Sequence, residues 1–358
     1  MKVVITGATG NVGTALLRAL RGDDREIVGI ARRAPDRALE PYAAVRWVPC
    51  DLGATDSAEI LRAACTGADV VVHLAWAIHP RRGDPPMRRT NLIGTENVLR
   101  AVAEAAVPQL VAASSCAAYA PAERWRRVSE EWPVSGVLGS AYSMSKAALE
   151  TQLDRFEARH PEIRTARLRP CGIAQAEAAA ELADWILPPW LPRRLIGTRL
   201  SPVPLWRDFR LQLVHSSDVA TAIRRIVQRR AAGAFNLAAE PCLGADALAA
   251  MFGGFRLPAP RRALDSAAWV GWRTGLQPLH PAWLTLADRA CLIDSAKARR
   301  ELGWAPHFGA SEICAELVAA MRAGQPGHSP PLAPARTAVA GRPSHQSQRP
   351  HDGHRAYR

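Results

Sequence analysis

Tyr142 and Lys146 stand four positions apart in a chain that has four tyrosines and whose lysines are Lys2, Lys146 and Lys297. On a helix, one turn puts both side chains on the same face, with Cβ atoms roughly 5–6 Å apart. A phenol beside an ammonium is a tunable proton donor. Tyrosine in water titrates near 10, and acid–base work near neutrality asks for a value lower by a few units. One ammonium about 4 Å away supplies roughly 4 kcal/mol at an effective dielectric of 20, enough for such a shift. Arginine is no substitute, because its charge is spread over a planar fork. The same spacing alone also fits two residues on a solvated helix face, so the surrounding elements decide.

Those elements alternate. Short β-branched runs at 2–6, 26–30, 45–48, 70–74, 109–113 and 164–168 read as strands. Helical patterns near 12–21, 56–64, 90–105 and 142–159 lie between them. Asp56 and Glu59 have capping-box spacing at one helix start. Alternation of this kind gives an α/β, Rossmann-type, doubly wound parallel sheet, which binds ligands beyond the carboxyl ends of its strands. After Pro170 the texture changes. Residues 175–210 are too proline-rich for regular structure, 211–214 with a helix over 218–229 reads as a return to the sheet, and 241–322 is mostly helical with loops. The expected division is therefore 1–170 with 211–240 as a dinucleotide-binding domain, and 171–210 with 241–322 as a smaller substrate-binding part. Residues 323–358, rich in Pro, His, Arg, Ser and Gly, are expected to form a disordered tail.

Gly7-Ala8-Thr9-Gly10-Asn11-Val12-Gly13 follows the first strand and opens a helix. Such glycines allow a tight turn and let a pyrophosphate approach the backbone, while the helix start offers N–H donors. The second strand ends Ala31-Arg32-Arg33. A carboxylate at that tip would accept ribose hydroxyls and repel a 2′-phosphate. Two guanidinium groups favour the 2′-phosphate instead, so the cofactor is expected to be NAD(P), leaning to NADP.

These motifs together resemble an extended short-chain dehydrogenase/reductase of the NAD-dependent epimerase/dehydratase family, from Met1 to about Pro306. Gly7, Gly10 and Gly13 match its cofactor loop, and Asp51-Leu52 its adenine-side pair. His73-Leu74-Ala75 matches the strand-four motif, and Asn91 begins the stretch resembling the following helix. Ser114-Ser115-Cys116-Ala117-Ala118-Tyr119 resembles the strand-five motif. Arg169-Pro170, 214–220 and 302–306 fit later motifs. The resemblance implies Ser115, Tyr142 and Lys146 as catalytic residues. It places Thr9, Asn11, Val12, Leu52, Leu74, Ala75, Asn91, Lys146 and Pro170 around the dinucleotide with the three glycines, Arg32, Arg33 and Asp51. It also implies a homodimer. Two departures matter. Cys116 and Ala117 replace the acidic pair of sugar-nucleotide dehydratases, and Cys171-Gly172-Ile173-Ala174 replaces the usual sugar-type turn.

Composition excludes other classes. The net charge is +13, but the arginines are scattered and no nucleic-acid motif accompanies them. No apolar run reaches the roughly 20 residues of a membrane span. Seven cysteines without Cys-x-x-Cys argue against disulfides and zinc. The protein is therefore expected to be cytoplasmic, without nucleic-acid, membrane or metal partners. Trp185, Trp190, Trp206, Trp269, Trp272 and Trp283 in the variable part point to an apolar carbonyl or secondary alcohol. Arg193, Arg194, Arg199, Arg207 and Arg210 point to a substrate diphosphate instead. The expected function is an NAD(P)-dependent oxidoreductase, with a nucleotide-sugar epimerase retaining its cofactor as the first alternative. A non-catalytic dinucleotide sensor is the second.

Overall fold

Seven strands make the central sheet: β1 (Lys2–Thr6), β2 (Glu26–Ala31), β3 (Arg46–Pro49), β4 (Val70–His73), β5 (Gln109–Ala113), β6 (Arg164–Pro170) and β7 (Gly233–Leu237). Their order is β7-β6-β5-β4-β1-β2-β3, and every neighbouring pair is parallel. The computed structural model describes residues 1–22, 24–78, 85–188, 191–199, 201–277, 279–325 and 327–333.

Apolar residues run continuously through β1 and β4 because both sheet faces are covered. Side chains of successive residues alternate between faces. Val3 and Ile5 pack with Leu16 and Leu17 of α1 (Asn11–Ala19) and with Ile223 and Ile226 of the helix Ser216–Arg229. Val4 packs on the other side with Leu61 of α2 (Ser57–Cys65), Val98 of α3 (Gly94–Glu104) and Leu149 and Leu153 of α4 (Ala141–Arg159). The chain runs outward from β1 to β3, then restarts at β4 on the other side of β1. That reversal opens a crevice at the carboxyl ends of β1 and β4.

A second apolar cluster holds the rest of the chain, with Trp206, Leu213, Leu248, Ile313 and Leu317 at its centre. The helix Ser216–Arg229, α6, belongs to the sheet core; around this further cluster lie α5 (Ala179–Ile186), α7 (Arg261–Arg273), α8 (Ala282–Arg289) and α9 (Ala310–Ala323).

Several local expectations are corrected. Asp56 caps nothing with its side chain. The return to the sheet comes later than 211–214. Leu213–His215 pairs with Gly172–Ala174 in a separate two-stranded ladder, and β7 is the strand that joins β6. Asp218 stands in the first turn of α6. Its carboxylate accepts the backbone N–H groups of His307 and Phe308, while His215 Nδ1 takes the N–H of Ser217. Part of the segment expected as a disordered tail is ordered. Ser329 and Leu332 are buried, and Ser329 Oγ donates to the Thr9 carbonyl at 2.6 Å. One apolar side chain supplies a burial that the polar composition conceals. Residues 334–358, with His345, His351 and His354, lie outside the described residues, as does Trp190.

Candidate active site

The glycine loop has its shape for steric reasons. Gly7 takes φ +69, and a Cβ there would sit 2.6 Å from the Ala75 backbone nitrogen. A Cβ on Gly13 would overlap the Gly7 carbonyl oxygen. The loop therefore packs directly on the end of β4, and no larger residue fits. α1 starts beyond Gly10 without a side-chain cap, which leaves its first N–H groups for a ligand. Asn11 fastens this helix start to its surroundings. Its Oδ1 accepts from Ser216 Oγ at 2.6 Å, and its carbonyl accepts from Gln175 at 3.1 Å.

The reactive helix is held as firmly. Ser140 caps α4 by accepting the Ser143 N–H. Ser143 Oγ then donates to the Ala117 carbonyl at 2.6 Å and accepts the Val137 N–H. This bolts the first turn of α4 to the turn that follows β5. Tyr142, Lys146 and Glu150 rise from the same helix face, one turn apart. The Ser115 hydroxyl accepts the Ala117 N–H and lies near enough to the Tyr142 phenol to lower its pKa. Lys146 Nζ donates to the Ala113 carbonyl at 2.9 Å and lies 3.6 Å from the centre of the Trp76 ring. Glu150 is buried and accepts bonds from both Arg167 and Arg169. Arg169 continues to the Tyr119 hydroxyl, which bonds Asn236; Tyr119 is structural.

The electrostatics correct one expectation. Burial pushes the Tyr142 phenol up to about 12, and the neighbouring Ser115 hydroxyl is what pulls it back. Burial also brings the Lys146 ammonium down to about 7, against the raising influence of Glu150. The protein alone thus provides a poorly solvated pair, in which desolvation outweighs mutual charge. His73 is spent on packing. It is held between the Thr6 and Thr95 hydroxyls, and burial takes it down to about 3.

One cavity of about 1910 Å³ joins these parts. Its sheet end is lined by Gly7, Thr9, Gly10, Asn11, Val12 and Gly13, by Arg32, Arg33 and Leu52, and by Leu74, Ala75 and Pro170. Ser115, Tyr142 and Lys146 line its middle. Two expected cofactor residues do not line it. Asp51 is engaged by Arg89 and by the Gly53 N–H. Asn91, in a π-helical turn before α3, clamps both the N–H and the carbonyl of Ala77. It positions the strand-four loop from behind. Sequence reasoning also missed Trp76 under the lysine, Glu181, and Pro330 with Pro331, all of which line the cavity. Trp76 follows the matched strand-four motif directly, which was the available signal.

The far end of the cavity is apolar. Leu182, Trp185, Leu205, Trp206, Trp283 and Leu286 are among its walls. Glu181 is its one carboxylate among the described residues. Burial raises that carboxyl to about 7. Of the arginines expected to grip a diphosphate, Arg210 alone lines the cavity, and it donates to the Asp288 and Ala290 carbonyls. Arg193 pairs with Asp184 instead.

Residues 3–238 match the family described as NAD dependent epimerase/dehydratase. A 4-hydroxy-2-methyl-3-oxo-4-farnesyl-3,4-dihydroquinoline-1-oxide ketoreductase of Stigmatella aurantiaca is 26% identical over 328 residues, covering 85% of this chain and 92% of that protein. A UDP-glucose 4-epimerase of Mycolicibacterium smegmatis is 30% identical over 164 residues, 44% of this chain and 51% of that protein. Among solved structures, a UDP-glucose-4-epimerase of Stenotrophomonas maltophila with bound NAD superposes with a TM-score of 0.69. Its identity is 19%, and the match covers 90% of this chain and 98% of that one. MoeE5 in complex with UDP-glucose and NAD gives 0.67 at 23% identity, covering 90% and 99%. These structures share the fold.

Proposed function

The chain belongs to the NAD dependent epimerase/dehydratase family, and on that premise we propose that it is an NAD(P)-dependent oxidoreductase acting on a large apolar ketone or secondary alcohol. One observation carries the substrate side. The cavity beyond Tyr142 is walled by leucine and tryptophan, and among the described residues its only arginine there is already bonded to backbone carbonyls. The Stigmatella relative, a ketoreductase named for a farnesylated ring ketone, agrees with that chemistry.

The residues present fit a dinucleotide: a cradle that any Cβ on Gly7 or Gly13 would fill, α1 N–H groups for the pyrophosphate, and Lys146 for the nicotinamide ribose hydroxyls. When bound, a nicotinamide dinucleotide supplies the hydride exchanged with the substrate carbon. In reduction Tyr142 Oη gives its proton to the carbonyl oxygen; in oxidation it takes the alcohol proton. Ser115 Oγ, which lines the cavity beside Tyr142, holds the same substrate oxygen. Lys146, on the same helix face as Tyr142, supplies positive charge there in its protonated form. Arg32 and Arg33, exposed at the rim beside Ala31, fit a 2′-phosphate, so NADP is the proposed cofactor.

The epimerase reading keeps one supporting observation. Arg210 Nε is buried with no partner among the described residues, an unspent donor that an anionic substrate could use. The deciding experiment follows nicotinamide absorbance with NADPH or NADH across lipophilic ketones, secondary alcohols and UDP-sugars. Oxidation of NADPH by a lipophilic ketone is expected, with turnover falling about 10²–10⁴-fold in Tyr142→Phe while cofactor binding persists. UDP-sugar interconversion without net redox change overturns the proposal.

A further inference from the structure

The arginines at 193–199 and on α7 take no part in the site above, yet they stand beside its opening. Leu195, Leu257 and Leu276 both line the cavity and are exposed to solvent, so they mark its mouth. Arg193 and Arg194 directly precede Leu195, and Arg273 lies three residues before Leu276. α7 forms part of the wall. Leu264, Ala267, Ala268 and Gly271 line the cavity, whereas Trp269 and Val270 are 55% and 52% exposed. The Arg273 guanidinium lies 5.8 Å from the Trp269 ring centre. Some charges here are internally paired: Arg193 with Asp184, Arg256 with Asp246, and Arg261 with Asp265. Arg194, Arg199, Arg262 and Arg273 are exposed and have no carboxylate partner among the described residues.

We propose that this mouth docks on an anionic lipid bilayer. Exposed leucines at the mouth, the exposed Trp269 and Val270 on the helix that walls it, and arginines without carboxylate partners in the same segments fit the interfacial layer of such a membrane. A second copy of the same face is a poor occupant, because pairing would bring like charges together. No described helix is long and apolar enough to cross a membrane, so the contact is peripheral. Docking there lets an apolar substrate pass from the bilayer into the cavity without crossing water. That purpose rests on the oxidoreductase reading, but vesicle binding is measured without turnover, so the two fail separately.

The test is sedimentation of the full-length chain with phosphatidylcholine vesicles, with and without about one-quarter phosphatidylglycerol. Preferential binding to the anionic vesicles, weakened by salt, is expected. Arg194→Glu/Arg262→Glu/Arg273→Glu should lower partitioning at least about tenfold, and Trp269→Ser/Val270→Ser should lower it at every salt concentration. Thermal unfolding and dinucleotide binding confirm that each variant is folded. Residues 334–358 carry five further arginines (Arg336, Arg342, Arg349, Arg355 and Arg358), so a chain ending at 333 is measured alongside. No preference for anionic vesicles overturns the proposal. So does loss of binding on removing 334–358 while both surface variants bind as wild type.

Discussion

The Tyr142 ring lies against the Trp283 indole, with centroids 5.2 Å apart and planes inclined by 31°. The phenol comes from α4, packed on the central sheet, and the indole from α8, so the apolar part of the chain reaches the phenol and helps desolvate it. Trp283→Ala admits water to the phenol and should lower its pKa from about 12 toward the ordinary value near 10. Carbonyl reduction needs the protonated phenol, so the alkaline fall in kcat/KM should move to lower pH. A pH–rate profile of both proteins checks this, and coincident profiles refute it.

Cofactor choice is tested at the tip of β2. Arg32→Ala/Arg33→Ala removes the two guanidinium groups at the rim. Affinity for NADPH should fall about tenfold or more, while NADH affinity changes little. Equal losses for both dinucleotides would mean that the arginines do not meet a 2′-phosphate. Titration by nicotinamide fluorescence gives both constants.

Glu181 makes stability depend on pH with an unusual sign. Its carboxyl is raised to about 7 by burial, so the folded state binds more protons than the unfolded state between about pH 4.5 and 7. Its contribution to stability therefore declines as pH rises through that window and stays low above it. Glu181→Gln should raise the Tm at pH 8 and leave it nearly unchanged at pH 4.5. Thermal melts at the two pH values decide, and an equal shift at both is the contrary result.

Glu150 behaves in the opposite way. Arg169 and Arg167 hold its carboxyl below the ordinary value despite burial. Its stabilisation is present above the unfolded-state pKa and is lost as pH falls through the folded-state value. Glu150→Ala leaves two buried guanidinium groups short of a partner and should cost about 3–5 kcal/mol. Chemical denaturation at pH 7 measures it. A loss under about 1 kcal/mol would show that Asp154 and Glu157, which also bond Arg167, compensate.

The central sheet, and the placing of Tyr142 and Lys146 on one helix face, were legible because both are local patterns. The glycine loop sits between a strand and a helix, and Tyr142 and Lys146 lie one turn apart. What stayed hidden depends on partners far along the chain. Asp51 and Asn91 match their motifs, but Arg89 and Ala77 use up their polar atoms. The phenol was expected to titrate low from its lysine neighbour. Its burial depends on contacts such as that with Trp283, which no spacing announces. The order of elements after β6 was misread because two short strands at 210–215 imitate a sheet strand, whereas Gly233–Leu237 hides behind one turn of small residues.

The hydrogen bond from Ser329 to Thr9 joins positions 320 residues apart. During synthesis the glycine turn therefore emerges some 320 residues before the segment that bonds it. Until that segment is made, the cavity lacks its Pro330–Pro331 side.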